Sequence, residues 1–229
     1  NVSLNQIICH DEGDGLGNAE PYLWTVFFKI DGSTVRLNDN LFLEGTASVF
    51  TTPGSDGNLN NNDVDEGDVV NIPAAIGQWD TLLSPIPVPQ FVKDLGTDDV
   101  AAIAGVVCVL MEEDNVTDDG ANAGHDALNS GIQSALDALI PTLGFTNQEV
   151  TDADLEALTD RVTSAVEDAI KNQQNIFENI WSWLNKDDTI GSVVFRFNQD
   201  QLLNNGVTNL NKRWKNEGDW ELNGDIAAS

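Results

Sequence analysis

The sequence predicts a mainly β protein, an antiparallel β-sandwich interrupted by a helical insertion. Segments rich in β-branched and aromatic residues lie on both sides of a central stretch whose apolar residues recur every three or four positions. With 229 residues and 41% hydrophobic content, the chain is long and apolar enough to bury a sizeable core. We therefore expect one domain covering residues 1–229.

The first strands flank an acidic loop. Residues 2–9 and 22–30 predict two strands, and the Gly- and Asp-rich segment between them predicts the loop. Further short strands are expected near residues 34 and 47. Residues 51–68 have almost no apolar content, which predicts a mobile loop.

The run at 101–111 is apolar throughout, which is typical of a strand buried on both faces. It follows a segment, 79–92, whose spaced prolines permit only an edge strand or extended chain. The apolar run ends abruptly in the sequence EEDNVTDDG, so a central strand leads directly into a carboxylate cluster. Cys9 and Cys108 both lie in apolar strand-like runs, which favours free buried thiols; a disulfide, and with it an oxidising compartment, is the alternative.

The central segment has helical spacing. Leu128, Ile132 and Leu136 predict one helix that stops at Pro141, and a second helix is expected to begin near Thr146. Strand character returns afterwards, at residues 189–197 and 219–227. The helices thus form an insertion at about 121–185 within a β domain, and we expect their apolar stripe to pack against a sheet face.

The formal charge of −28 argues against nucleic acid as a partner, because such a field repels phosphates. The sequence contains no run of about 18 apolar residues, so it predicts no membrane-spanning helix. An extracellular location, with a signal peptide removed before Asn1, is favoured over a cytoplasmic one. The chain has no G-x-S-x-G, Gly-rich phosphate loop or H-E-x-x-H motif, so we expect no enzymatic activity.

Three acidic loops, at residues 11–20, 112–119 and 185–188, are candidates for calcium binding. Calcium requires several oxygen ligands, and close carboxylates repel one another unless a cation lies among them. The loops of an antiparallel sandwich cluster at its two ends, so loops distant in sequence can converge. Ca²⁺ is therefore the expected ligand.

These loops carry motifs that resemble a known family. Residues 14–23, DGLGNAEPYL, resemble the D-x-x-G-x-S-D-P-Y-V signature of the C2 domain, a calcium- and phospholipid-binding β-sandwich. The strand end at 109–114 is similar to the family's V-x-D-x-D, and residues 187–191 to its D-D-F-I-G. The resemblance implies an eight-stranded sandwich in the permuted, phospholipase-type strand order, with the helices inserted in the third calcium-binding loop. It also implies five metal ligands: Asp14, Glu20, Glu112, Asp114 and Asp188.

The resemblance implies a non-enzymatic calcium-binding module that attaches to a phospholipid membrane surface or to a protein partner. Two alternatives of other classes remain. One is a secreted pore-forming or insecticidal-type toxin component that uses the amphipathic helices. The other is a calcium-stabilised structural or adhesion subunit, in which the ion would rigidify loops at a contact between copies.

Overall fold

The chain folds into antiparallel β-sheets covered on one side by helices. The computed structural model describes residues 1–13, 19–51, 57–61, 63–112, 118–145, 151–180 and 189–228, apart from the side chains at 118, 119, 152, 155 and 171–180. The strands of these residues are β1 (Val2–Asp11), β2 (Pro21–Ile30), β3 (Val35–Leu37), β4 (Leu43–Gly45), β5 (Ser48–Phe50), β6 (Val69–Asn71), β7 (Gln78–Trp79), β8 (Ile86–Pro87), β9 (Asp99–Val100), β10 (Ile103–Glu112), β11 (Thr189–Asn198), β12 (Val207–Trp214) and β13 (Asp219–Ala227). The helices are α1 (Ala74–Gly77), α2 (Gln90–Lys93), α3 (Asp118–Leu139), α4 (Asp152–Ile180) and α5 (Gln199–Asn205), with a 3₁₀ turn at Ile140–Thr142.

Two main sheets organise these strands. One has four strands in the order β11-β10-β2-β5, and the other has the order β12-β13-β1-β6, with β7 also paired to β1. Two small ribbons, β3-β4 and β8-β9, complete the β portion, and every strand pair is antiparallel. The expectation of a mainly β, antiparallel chain is confirmed. The described residues contain thirteen strands rather than eight, because several connections form strands of two or three residues.

The two main sheets enclose a shared core. Buried side chains of both sheets, among them Ile7 on β1, Phe27 on β2 and Trp220 on β13, belong to one apolar cluster. On β10, Val106 points into this cluster and Val107 points away from it, as alternation along a strand requires. Both faces of β10 are therefore buried, which confirms the expectation for residues 101–111.

The long helices cover the outer face of the four-stranded sheet. Leu128 on α3 and Val162 on α4 are fully buried in a second cluster, together with Trp24 and Phe28 of β2. A Cβ atom at Gly124 would lie 2.4 Å from the Trp24 ring, so glycine permits the close approach of α3 to the sheet. The helical stripe packs against a sheet face, as expected. None of the described helices is both long and apolar enough to cross a membrane.

Several features differ from the sequence-based expectations. β12 was not expected, because only Leu210 and Trp214 place apolar side chains on its buried face. In the described part of 51–68, where the sequence predicts a mobile loop, Leu59 and Val64 are buried against the core. α3 begins earlier than expected, at Asp118.

The second long helix begins later than expected. Thr151 and Asp154 exchange hydrogen bonds of 2.9 Å and 3.3 Å between backbone N–H groups and side-chain oxygens, the reciprocal arrangement of a capping box. These bonds fix the start of α4 at Asp152. Thr146, where the sequence predicted the start, lies outside the described residues.

Candidate functional site

Two of the five predicted metal ligands lie at the same end of the four-stranded sheet. β10 ends at Glu112, which pairs with Pro21, the first residue of β2. Glu20 directly precedes Pro21, so both carboxylates belong to the edge where these strands end and begin. The other three predicted ligands, Asp14, Asp114 and Asp188, lie outside the residues that the structure describes.

The segment 57–68 connects this edge to the five-stranded sheet. Ala19 and Val64 exchange two backbone hydrogen bonds of 3.2 Å, and the Gly67 N–H donates to the Cys9 carbonyl at 2.8 Å. Because Cys9 lies near the end of β1, the segment joins the start of β2 to the end of β1. The segment 57–68 therefore contacts both sheets at the same end.

Acidic residues from four parts of the fold gather at this end, which we call the acidic end. They come from the end of β1, the segment 57–68, the β2–β10 edge and the turn between β12 and β13. Its members are Asp11, Glu12, Glu20, Asp63, Asp65, Glu66, Asp68, Glu112, Glu217 and Asp219. The sequence singled out the first and third of these parts, but not the segment 57–68 or the turn between β12 and β13. The apolar residues Leu59 and Val64, which are buried in the structure, were the available signal for the segment 57–68.

The basic side chains of the acidic end are engaged by one carboxylate. Arg213 donates to both oxygens of Asp219, and the Lys215 Nζ lies 3.4 Å from Asp219 Oδ2. The hydrogen bonds from Arg213 are the main reason that the pKa of Asp219 is lowered to about 2. Arg213 and Lys215 therefore both lie against Asp219.

Glu12 carries an unsatisfied oxygen. Its Oε2 atom is buried and accepts no hydrogen bond from any described residue. A buried carboxylate oxygen without a donor is costly, whereas a cation beside it removes that cost. Among the acidic-end members in the described part of the chain, Glu12 is thus the one with a buried oxygen that lacks a hydrogen-bond donor there.

The Cys9 thiol lies beneath the acidic end. Burial raises its pKa to about 12, and the negative charge of Glu12 contributes in the same direction. Burial also raises the pKa of the Cys108 thiol, and both cysteines are free in the structure. The preferred sequence interpretation, two free buried thiols, agrees with this arrangement.

We expect neither thiol to react in the native protein, because both are buried and held protonated. The protein is first reduced and then treated with DTNB, which modifies accessible thiols. Over the time in which free cysteine reacts completely, the thiols of the native protein should remain unmodified. In guanidinium chloride, two thiols per chain should react. Rapid modification of the native protein would contradict the burial of Cys9 and Cys108.

The acidic end does not form a ready-made metal cage. Over the described residues, no group of three or more His, Cys, Asp or Glu side chains is placed so that it could hold a metal ion. No family model, curated protein or solved structure matches this chain. The basis for a function is therefore the geometry and charge of the acidic end, together with the motifs in its loops.

Proposed function

We propose that this chain is a non-enzymatic calcium-binding module. In this proposal its acidic end binds Ca²⁺ and attaches through the ion to a phospholipid membrane surface or to a protein partner. The observation that carries the proposal is the gathering of carboxylates at one end of both sheets, where the strand ends next to Glu20 and at Glu112 pair with each other.

The chemistry of this end favours a hard divalent cation. Carboxylates, Asn side chains and backbone carbonyls are the oxygen ligands that Ca²⁺ prefers, and several of them can converge from different loops. The motifs similar to those of C2 domains support the same ion. The proposed ligands are the five that the resemblance implies: Asp14, Glu20, Glu112, Asp114 and Asp188.

The net charge explains why the ion would be needed for attachment. At a formal charge of −28, the protein is repelled by an anionic membrane. Calcium held among the carboxylates neutralises part of that charge and leaves coordination positions for phosphate oxygens. Attachment should therefore depend on the ion and weaken when it is chelated.

Calcium is expected to stabilise the native protein against heat. At a free concentration about 100 times the dissociation constant, one site adds about 2.7 kcal/mol to the free energy of unfolding. For a chain of this size, that corresponds to an increase in Tm of roughly 5–10 °C. Differential scanning calorimetry in CaCl₂, in MgCl₂ at the same concentration and in EGTA, at matched ionic strength, measures this effect.

Paired variants identify the ligands. The double variant Glu20→Gln/Glu112→Gln should lose most of the calcium-dependent increase in Tm, whereas Glu167→Gln, at an exposed position on α4, should retain it.

Membrane attachment is tested by sedimentation with vesicles. Wild-type protein should sediment with phosphatidylcholine–phosphatidylserine vesicles in CaCl₂ and remain free in EGTA. Equal melting temperatures in CaCl₂ and EGTA, together with calcium-independent sedimentation, would overturn the proposal.

A further inference from the structure

The sequence contains two Asn-Gly pairs, Asn205–Gly206 and Asn223–Gly224. In such a pair the backbone nitrogen of glycine can attack the side-chain carbonyl carbon of asparagine, because glycine has no side chain that hinders the approach. The two pairs have the same local chemistry and differ in how the fold holds them. A difference in their reactivity therefore reports on the structure rather than on the dipeptide.

The first pair lies at an exposed end of a helix. Asn205 is the last residue of α5, and Gly206, its C-terminal cap, has a φ of 66°. Both residues are exposed, and a Cβ atom at Gly206 would have no neighbouring atom within 4 Å. Neither the Gly206 N–H nor the Asn205 side chain makes a hydrogen bond within the described part of the chain. The two reacting groups can therefore move relative to each other.

The helix α5 is anchored mainly at its other end. The Asn198 side chain accepts a 2.8 Å hydrogen bond from the Gln201 N–H, and the Gln201 side chain accepts one of 3.1 Å from the Asn198 N–H. Leu202 is buried, whereas residues 203–207 are all exposed. A short helix held in this way frays from its C-terminal end. Fraying gives Asn205 the backbone rotation that brings its Cγ atom to the nitrogen of the next residue.

The second pair lies inside a sheet. Asn223 is on β13, which pairs with β1 on one side and with β12 on the other. Its side chain accepts a 2.7 Å hydrogen bond from Asn211 and donates one of 3.2 Å to Glu221. A Cβ atom at Gly224 would lie 2.5 Å from the Ser3 carbonyl oxygen, so the neighbouring strand closely covers the backbone here. Ring closure at Asn223 would require β13 to separate from its neighbours.

We propose that Asn205 is a site of spontaneous deamidation in the native protein. The Gly206 nitrogen gives up its proton to hydroxide or a buffer base and forms a bond to the Asn205 Cγ atom, and the Cγ–Nδ2 bond breaks to release ammonia. Water then opens the resulting succinimide at either of its two carbonyls, which leaves aspartate or isoaspartate at position 205. The net reaction consumes one water molecule, and no atom is oxidised or reduced.

The modification changes the connection between α5 and the edge strand β12, which begins at Val207. Either product adds a negative charge near the last carbonyls of α5, where the helix dipole disfavours an anion. Isoaspartate also adds a methylene group to the main chain. Because Asn205 lies outside the two main sheets, we expect the fold to be retained.

The test incubates the protein at pH 7.4 and 37 °C and samples it over several weeks. Trypsin separates the two pairs, which fall in peptides that begin at Phe197 and Asn216. Mass spectrometry should show a gain of one mass unit at Asn205, and electron-transfer fragmentation distinguishes isoaspartate from aspartate. Asn223 should be modified at least about tenfold more slowly, because its reaction requires β13 to open.

The same incubation in guanidinium chloride separates the effect of the fold from that of the sequence. In the unfolded chain, Asn205 and Asn223 should react at similar rates, because both precede glycine. Equal rates at the two positions in the native protein would overturn the proposal. So would a native Asn205 that stays unmodified while the unfolded chain reacts.

Two variants assign the reaction to one residue. Asn205→Gln should abolish the gain in mass in the peptide that begins at Phe197, because glutamine would have to close a six-membered ring, which is far slower. Asn204→Gln, the same change at the adjacent exposed position, should leave the reaction unchanged, since Asn204 does not precede glycine. Both variants should keep the Tm of the wild type. An undiminished gain in mass in Asn205→Gln would contradict the assignment.

Discussion

Replacing Asp31 with alanine is expected to lower the free energy of unfolding by about 3–5 kcal/mol. The Asp31 carboxylate is completely buried and accepts hydrogen bonds from Lys29, Ser33 and Ser84. Its removal leaves the Lys29 ammonium, whose side chain is only 12% exposed, without its counter-charge. The segment 80–84 would also lose one of its attachments to the sheet. Chemical denaturation of the wild type and the variant measures the difference.

The matched control is Asp39→Ala, the same substitution at an exposed position. It should change the free energy of unfolding by no more than about 0.5 kcal/mol. If Asp31→Ala proved no more destabilising than this control, the ion pair between Lys29 and Asp31 would not contribute to stability as inferred.

The effect of Asp31 should also depend on pH. Burial by itself would raise the pKa of Asp31, but the hydrogen bonds from Ser33, Lys29 and Ser84 and the charge of Lys29 outweigh it and lower the pKa below 3.8. A lowered pKa in the folded state stabilises the protein above the unfolded-state pKa, and this contribution is lost as the pH falls through the folded-state pKa. The difference between wild type and Asp31→Asn should be constant from about pH 5 to 7 and should shrink below about pH 4.

Replacing Val162 with aspartate is expected to cost at least about 4 kcal/mol, because it places a carboxylate between α4 and the sheet without a partner. Ser164→Asp, at an exposed position two residues away on the same helix, should change stability by no more than about 0.5 kcal/mol. Urea denaturation followed by circular dichroism at 222 nm and by tryptophan fluorescence measures both variants.

The course of unfolding distinguishes a fixed helical layer from a releasable one. Detached helices would expose Trp24, Phe28 and the rest of the buried outer face, so we expect wild-type helices and sheets to unfold in one coincident transition. An earlier loss of helical signal with the sandwich still folded would instead favour a function in which α3 and α4 are released, as in a toxin component.

The main strands could be predicted from the sequence where a buried strand consists mostly of apolar residues. The uninterrupted apolar run of β10 indicates two buried faces, and the structure supplies a sheet on one side and helices on the other. The spacing of Leu128, Ile132 and Leu136 likewise fixed the face of α3. β12 could not be predicted in this way, because an edge strand with two buried apolar residues has too weak an alternation.

The candidate site was less predictable for a different reason. Sequence motifs identified Glu20 and Glu112, but which other acids gather near them depends on hydrogen bonds between distant segments, such as those joining Ala19 to Val64. The composition of the sequence does not indicate which distant segments are joined by such hydrogen bonds. The burial of the Glu12 Oε2 atom likewise could not be predicted, because the sequence around Glu12 is polar.

The position of the helices between β10 and β11 has a consequence for how the fold is assembled. β10 and β11 pair along their full lengths although the whole helical segment separates them in the chain. Closing a long loop is slow and entropically costly, whereas a pair of adjacent helices forms from local contacts. Once α3 and α4 associate, they shorten the effective distance between the two strands. We therefore expect the association of α3 with α4 to precede and assist the pairing of β10 with β11.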